Sequence, residues 1–115
     1  MRTIIAGSRN CTDMDQLLQA ISVCGWKPTV VISGTARGVD KLGERWASEQ
    51  NILCERFPAD WNAYGKSAGY KRNEQMANNA EALIALWDGE SKGTQHMIEI
   101  ARRKGLRIYT HMVPK

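Results

Sequence analysis

The sequence predicts an α/β domain built on a parallel sheet, and three observations carry that expectation. Short apolar runs recur five times along the 115 residues. The middle runs are almost unbroken in apolar character rather than alternating, the pattern of strands covered on both faces. Between the runs lie stretches with helical spacing, separated from them by glycine-bearing turns. Strict alternation of strand and helix implies right-handed crossovers and hence parallel pairing.

The first run is Thr3–Ala6. Met14, Leu17, Leu18, Ile21 and Cys24 follow at i, i+3, i+4, i+7 and i+10, one face of a helix. Asp13 with Gln16 forms a capping pair at its start, and Gly25 stops it. The second run, Thr29–Ile32, precedes a stripe of Val39, Leu42, Trp46 and Ala47, and the third is Ile52–Phe57. The next helix is expected from about Tyr70 to Asn79. The fourth run, Ala82–Trp87, leads to a helix carrying Met97, Ile98 and Ala101 that ends near Gly105; Arg107–His111 is the fifth. Five strands and four helices in this order make a Rossmann-like three-layer sandwich, doubly wound, with strand order 3-2-1-4-5 and a single domain over residues 1–115.

Composition excludes several classes. Apolar residues at 43% and charged residues at 24% match an ordinary globular domain, not a disordered or collagen-like chain. No apolar run approaches the roughly 20 residues of a membrane span. Cys11, Cys24 and Cys54 are odd in number and lack Cys-x-x-Cys spacing, so neither a disulfide framework nor a zinc site is expected. The N-terminal apolar stretch is too short for a signal-peptide core, and a reduced, cytoplasmic setting follows as the expectation. The net charge of +4 suits an anionic ligand without requiring nucleic acid.

The topology locates a site, because ligands of such sheets bind beyond the strands' carboxyl ends where the winding reverses. Three loops should meet there: Gly7-Ser8-Arg9-Asn10, Ser33-Gly34-Thr35-Ala36-Arg37-Gly38-Val39-Asp40, and Asp88-Gly89-Glu90-Ser91-Lys92-Gly93-Thr94. Glycine permits close backbone approach, and the amides opening each following helix favour an anion. Arg9, Arg37 and Lys92 can add charge-assisted hydrogen bonds, and Ser8, Ser33, Ser91 and Thr94 neutral ones. None of the loops is a Walker or dinucleotide fingerprint. Together they point to a ligand bearing phosphate.

Pro58 to Arg72, fifteen residues, shows no clear period, and loops of that length are uncommon in compact domains. It carries Asp60, Trp61, Tyr64, Lys66, Lys71 and Arg72. Aromatics beside cations suit a stacked base and a held phosphate; the plain alternative is that Trp61 and Tyr64 only pin the loop. Trp46, Trp87, Met76 and Met97 read as core. His96 and His111 read as bystanders with no metal role, and Cys11 as an ordinary small side chain.

With these segments assembled, the chain resembles the SLOG superfamily, specifically its YspA-related (CpYpsA-related) branch. The matching segments are Gly7-Ser8-Arg9, Ser33 to Asp40, Phe57-Pro58-Ala59-Asp60-Trp61, Arg72-Asn73-x-x-Met76 and Trp87-Asp88-Gly89-x-Ser91-x-Gly93-Thr94. The resemblance implies a Rossmann-like fold and binding of nucleotides or nucleotide-derived ligands. Arg72 and Gly93-Thr94 are also similar to the motifs of LOG-type phosphoribohydrolases, which cleave the N-glycosidic bond of nucleoside 5′-monophosphates. The catalytic glutamate of that pattern falls on Met97, and a thioether cannot serve as a base. Glu99 lies about 200° away around the helix. The loop Ser33 to Asp40 further resembles the single-strand-binding domain of DprA-type DNA-processing proteins.

The expectation is therefore a protein that senses or sequesters a nucleotide-derived ligand, with no cofactor required, no metal and no membrane partner, and with a homodimer open. Arg9, the Gly34–Asp40 loop and the Ser91–Thr94 loop would hold phosphates, Arg72 would clamp a phosphate or ribose with Asn73 beside it, and Trp61 or Tyr64 would cover the base. The alternatives are a nucleotide N-glycosidase using Asp88 or Glu44, and single-stranded DNA binding. For Glu44 the plain reading is an exposed helix residue, and for Asp88 a turn residue.

Overall fold

A computed structural model describes all residues 1–115. Five strands, β1 (Arg2–Gly7), β2 (Val30–Ser33), β3 (Leu53–Arg56), β4 (Ala82–Trp87) and β5 (Arg107–Met112), form one parallel sheet ordered β3-β2-β1-β4-β5. This is the α/β Rossmann-like arrangement that the alternation predicts. The helices are α1 (Met14–Val23), α2 (Val39–Glu49), α3 (Trp61–Tyr64), α4 (Ala68–Asn78) and α5 (Lys92–Arg103).

Successive strand residues point to opposite faces, so each central strand feeds two cores. Ile5, Val31, Ile84 and Leu86 pack with Leu17, Ala20, Val39, Leu42 and Trp46 of α1 and α2. Ile4, Ala6, Ile32, Leu83 and Ala85 pack on the other face with Met76 and Ala77 of α4 and Met97, Ile98 and Ala101 of α5. Hence β4 is buried along nearly its whole length, whereas the edge strands β3 and β5 are only half covered. Burying Ile4, Ile5, Ile84 and Leu86 completely contributes roughly 1.5–3 kcal/mol each.

Two local expectations need correction. The stretch Pro58–Arg72 is not a structureless loop. Asp60 caps α3 by accepting from the Ala63 amide at 3.0 Å, a 3₁₀ turn spans Gly65–Ser67, and α4 begins at Ala68, ahead of Tyr70. These pieces are too short and too exposed to print a helical period. At α1, the Asp13 side chain accepts from the Asp15 amide, but Gln16 does not reach back; its Oε1 pairs with His111 Nε2 at 2.8 Å. Gly25 and Gly105 end their helices at φ of +96° and +75°, the left-handed conformation that glycine adopts without strain.

The two central strands touch where β1 ends. A Cβ on Gly7 would meet the Leu86 carbonyl oxygen well inside contact distance and Val39 Cγ2 at 2.9 Å. Gly7→Ala must therefore part β1 from β4, at about 3 kcal/mol, and should lower the melting midpoint by roughly 10 °C. Gly93→Ala, with open space around its Cβ position, should leave the midpoint near wild type. Thermal denaturation followed by circular dichroism checks both, and equal midpoints for Gly7→Ala and wild type would contradict the close approach.

Candidate functional site

The carboxyl ends of β1, β2 and β4 deliver their loops to a common rim, joined through Ser8. Its amide donates to the Leu86 carbonyl at 3.0 Å, and its carbonyl accepts from the amides of Cys11 and Val39. Its hydroxyl accepts from the Asp88 amide at 3.2 Å. Gly38, at φ +80°, packs so closely that a Cβ there would lie 2.5 Å from the Ser8 and Arg9 carbonyl oxygens. Ser8 is buried and fully engaged within the fold, so its hydroxyl has a structural task before any ligand arrives.

Two adjoining cavities open on this rim. The first, about 280 Å³, lies over Gly7, between the Ala36–Asp40 turn, α4 and the start of α5. Ala6, Met76 and Met97 line it, as do Trp61 and Tyr70. Its polar groups come from Arg9, Asp40, Lys66, Arg72 and Asn73, and from Ser91, Gly93 and Thr94 at the N-terminus of α5. The second, about 310 Å³, shares Arg9, Ala36, Trp61 and Arg72 with the first and adds Gly34, Thr35, Arg37, Pro58 and Ala59. Met76 and Met97 are thus core residues whose surfaces also face the first cavity.

Arg72 is the hinge between the two. Its Nη1 donates to the Gly34 carbonyl and its Nε to Asn73 Oδ1 at 3.2 Å. Asn73 is buried and donates through Nδ2 to the Gly93 carbonyl at 3.3 Å and to His96 Nδ1 at 3.1 Å. Since an amide nitrogen only donates, His96 accepts at Nδ1 and carries its proton on Nε2. Its ring lies 4.4 Å from that of Tyr70. Burial and the Arg103 charge hold the imidazole below its ordinary value against the pull of Glu99 and Glu74. His96 is therefore no bystander: it braces Asn73 and, through it, the guanidinium. Tyr70 and Gly69 also join the rim unannounced, and Lys66 joins it from the cation-bearing stretch. The only hint of Gly69 and Tyr70 in the sequence was their place within a turn of Arg72.

Other expected residues lie elsewhere. Glu44 is not an exposed helix residue but a buried one, and it faces neither cavity. It accepts from the Ser33 hydroxyl at 2.7 Å and from Arg56 Nε at 3.1 Å. Burial alone would raise its carboxyl, yet the hydrogen bonds of Ser33 and Arg56 and the Lys41 charge hold it below the usual range. Asp88 accepts from the amides of Ser91 and Glu90, both at 2.8 Å, which keeps it ionised in a turn outside the cavities. Gly89 turns that loop at φ +83°, and Lys92 is exposed at the start of α5 and lines neither cavity. Tyr64 stacks under Lys71 Nζ at 5.0 Å and lines neither cavity. In the β2–α2 loop, the Thr35 amide donates to Ser33 Oγ, that of Ala36 to Asp40 Oδ2 and that of Val39 to Ser8. Three amides expected to cradle phosphate are already used.

Asp40 is the one carboxylate in either cavity. Burial pushes its carboxyl up to about 6, although the Ala36 amide and the Arg72 and Arg9 charges pull it down. No group of three or more His, Cys, Asp or Glu comes together as a metal site, and no helix is long and apolar enough to cross a membrane.

A carboxyl whose folded value, about 6, exceeds its unfolded 3.8 contributes stability that is full at acid pH and lost as pH rises through about 6. Asp40→Asn keeps an acceptor for the Ala36 amide and removes that loss. The variant should match wild type below about pH 4 and exceed it above about pH 6, by at most about 3 kcal/mol. Denaturant titrations across that range check it, and a constant difference would refute the assignment.

Comparison with known proteins agrees with this architecture. The sequence profile of the YspA, cpYpsA-related SLOG family matches residues 1–64. The Gene 61 protein of Mycobacterium phage D29 is 33% identical over 116 residues, covering 93% of each chain. Among solved structures, DNA processing protein A (DprA) from Streptococcus pneumoniae superposes with a TM-score of 0.75 at 16% identity over 95% of this chain. The chain spans 49% of that structure, and at such identity the likeness is one of fold. The profile match over more than half the chain and the phage relative along nearly all of it place this protein in the YspA, cpYpsA-related SLOG family.

Proposed function

We propose that the protein binds a nucleotide or a nucleotide-derived phosphate ligand at the rim where β1, β2 and β4 end, as a sensing or sequestering domain acting in a reduced, cytoplasmic setting. The observation that carries this reading is a charge imbalance. Arg9, Arg37, Lys66 and Arg72 line the two cavities against Asp40 alone, and none of the four forms an ion pair within the chain. Arg72 is half-buried, and its guanidinium is held below its ordinary value by burial and by Arg9, with Asp40 opposing. A partly desolvated cation without a carboxylate partner is costly, and a phosphate there replaces the lost hydration.

The remaining lining has matching chemistry. Ser91 caps the twelve-residue α5, its hydroxyl 3.0 Å from that of Thr94, so α5 turns its first amides and two hydroxyls toward the first cavity. Trp61 and Tyr70, about half exposed, offer ring faces for a base over the apolar floor of Met76 and Met97. N-glycosidic hydrolysis is less well supported. Glu44 and Asp88 lie outside the cavities, and Met97 occupies the cavity-facing position where the phosphoribohydrolase pattern places its glutamate.

Arg72→Ala should weaken binding of whichever nucleoside 5′-phosphate stabilises the wild type by about 10- to 100-fold, the loss of one or two charge-assisted hydrogen bonds. Gly34→Ala should do the same from a distance, because the new Cβ would lie 2.8 Å from Arg72 Nη1 and displace it. Calorimetric titration with nucleoside phosphates, NAD and ADP-ribose measures both, and undiminished affinity in the two variants would sink the assigned site. Chromatography of the same mixtures reports free base only if the ligand is hydrolysed.

A further inference from the structure

The cationic rim is divided, and the division constrains the ligand. Functional small-molecule sites span about 300–1,000 Å³. The first cavity, at about 280 Å³, falls just short of that range and the second, at about 310 Å³, barely enters it. They adjoin through Arg9, Ala36, Trp61 and Arg72, so one ligand reaches both.

Their walls differ in chemistry. The first has an apolar floor, two aromatic rings, the start of α5 and the only carboxylate. The second has three guanidiniums, those of Arg9, Arg37 and Arg72, no carboxylate and no large apolar floor. The Thr35 and Ala36 amides in its wall already donate to Ser33 and Asp40, which leaves the guanidiniums as its main donors. Arg37 is exposed and makes no side-chain hydrogen bond or ion pair within the chain, so the fold gains nothing from its charge. Like charges gathered around one hollow repel, and a bound anion reverses the sign of that interaction. Planar, forked guanidiniums suit the oxygens of a phosphoryl group better than a single carboxylate.

We infer that the second cavity is a separate anion subsite, and that the ligand carries two linked phosphoryl groups: base and ribose in the first cavity, and a terminal or bridging phosphate among Arg9, Arg37 and Arg72. The inference rests on the nucleotide-binding reading above and narrows it to nucleoside diphosphates and their pyrophosphate-linked derivatives, in preference to monophosphates. Arg37 is then a specificity residue, since it lines the second cavity alone.

Titration of wild type and Arg37→Ala with each ribonucleoside 5′-monophosphate and its 5′-diphosphate, at one fixed ionic strength, tests this. A single-stranded oligothymidylate is the third probe. Wild type should bind at least one diphosphate about tenfold or more tightly than its monophosphate. Arg37→Ala should weaken the diphosphate about tenfold more than the monophosphate, and so lose that preference, while the melting midpoint stays near wild type. Equal affinity for both phosphates in the wild type, or a preference that survives Arg37→Ala, overturns the inference while Arg72-dependent monophosphate binding leaves the parent reading intact. If no nucleotide binds the wild type, the parent reading itself fails. Arg37-dependent binding of the oligothymidylate without a diphosphate preference overturns the inference in favour of a nucleic-acid backbone.

Discussion

The site depends on the knot around Ser8. One buried residue bonds to β4 through its amide, to the first turn of α2 through its carbonyl and to the β4–α5 loop through its hydroxyl. Three chain segments remote in sequence are thereby set side by side where the sheet reverses its winding. Gly7 and Gly38 make the knot possible by leaving room for backbone against backbone. The folding energy comes from the two apolar layers, but the knot decides what those layers hold up to solvent.

Above the knot the electrostatics are uneven by construction. The acidic groups near the rim are spent internally: Glu44 on Ser33 and Arg56, Asp88 on the amides of its own turn, and Glu90 on Lys115 at 2.6 Å. The cations of the two cavities form no ion pair within the chain. Asp40 alone stays in the hollow, one carboxylate against four cations, and burial raises its carboxyl to about 6. A chain of modest net charge thus concentrates positive potential at one place without being strongly basic overall.

Strand order, both cores and the location of the rim were legible in the sequence because they follow from long-range regularities: unbroken apolar runs, helical stripes and glycine at strand ends. The contents of the rim were less so. Ser8, Ser33 and the amides of Thr35 and Ala36 were read as ligand donors by type and position, yet each has a protein partner, and such pairing is invisible until the loops are folded together. Glu44 looked exposed because it is charged and lies outside the Val39, Leu42, Trp46 and Ala47 stripe; the approach of Ser33 and Arg56 gives it partners. His96 and Tyr70 are 26 residues apart in sequence and meet only because α4 packs beside α5. The helical character of Pro58–Arg72 was hidden by shortness, since one-turn segments carry no period.

The positions of the chain ends have a consequence for architecture. Met1 donates to the Lys27 carbonyl at the edge where the strands begin, whereas Lys115 pairs with Glu90 on the loop that follows β4. A polypeptide appended after Lys115 leaves beside the β4–α5 loop, from the end of the sheet that carries the rim. One appended ahead of Met1 leaves from the opposite end, where the strands begin. Added mass ahead of Met1 is therefore kept away from the rim by the length of the strands.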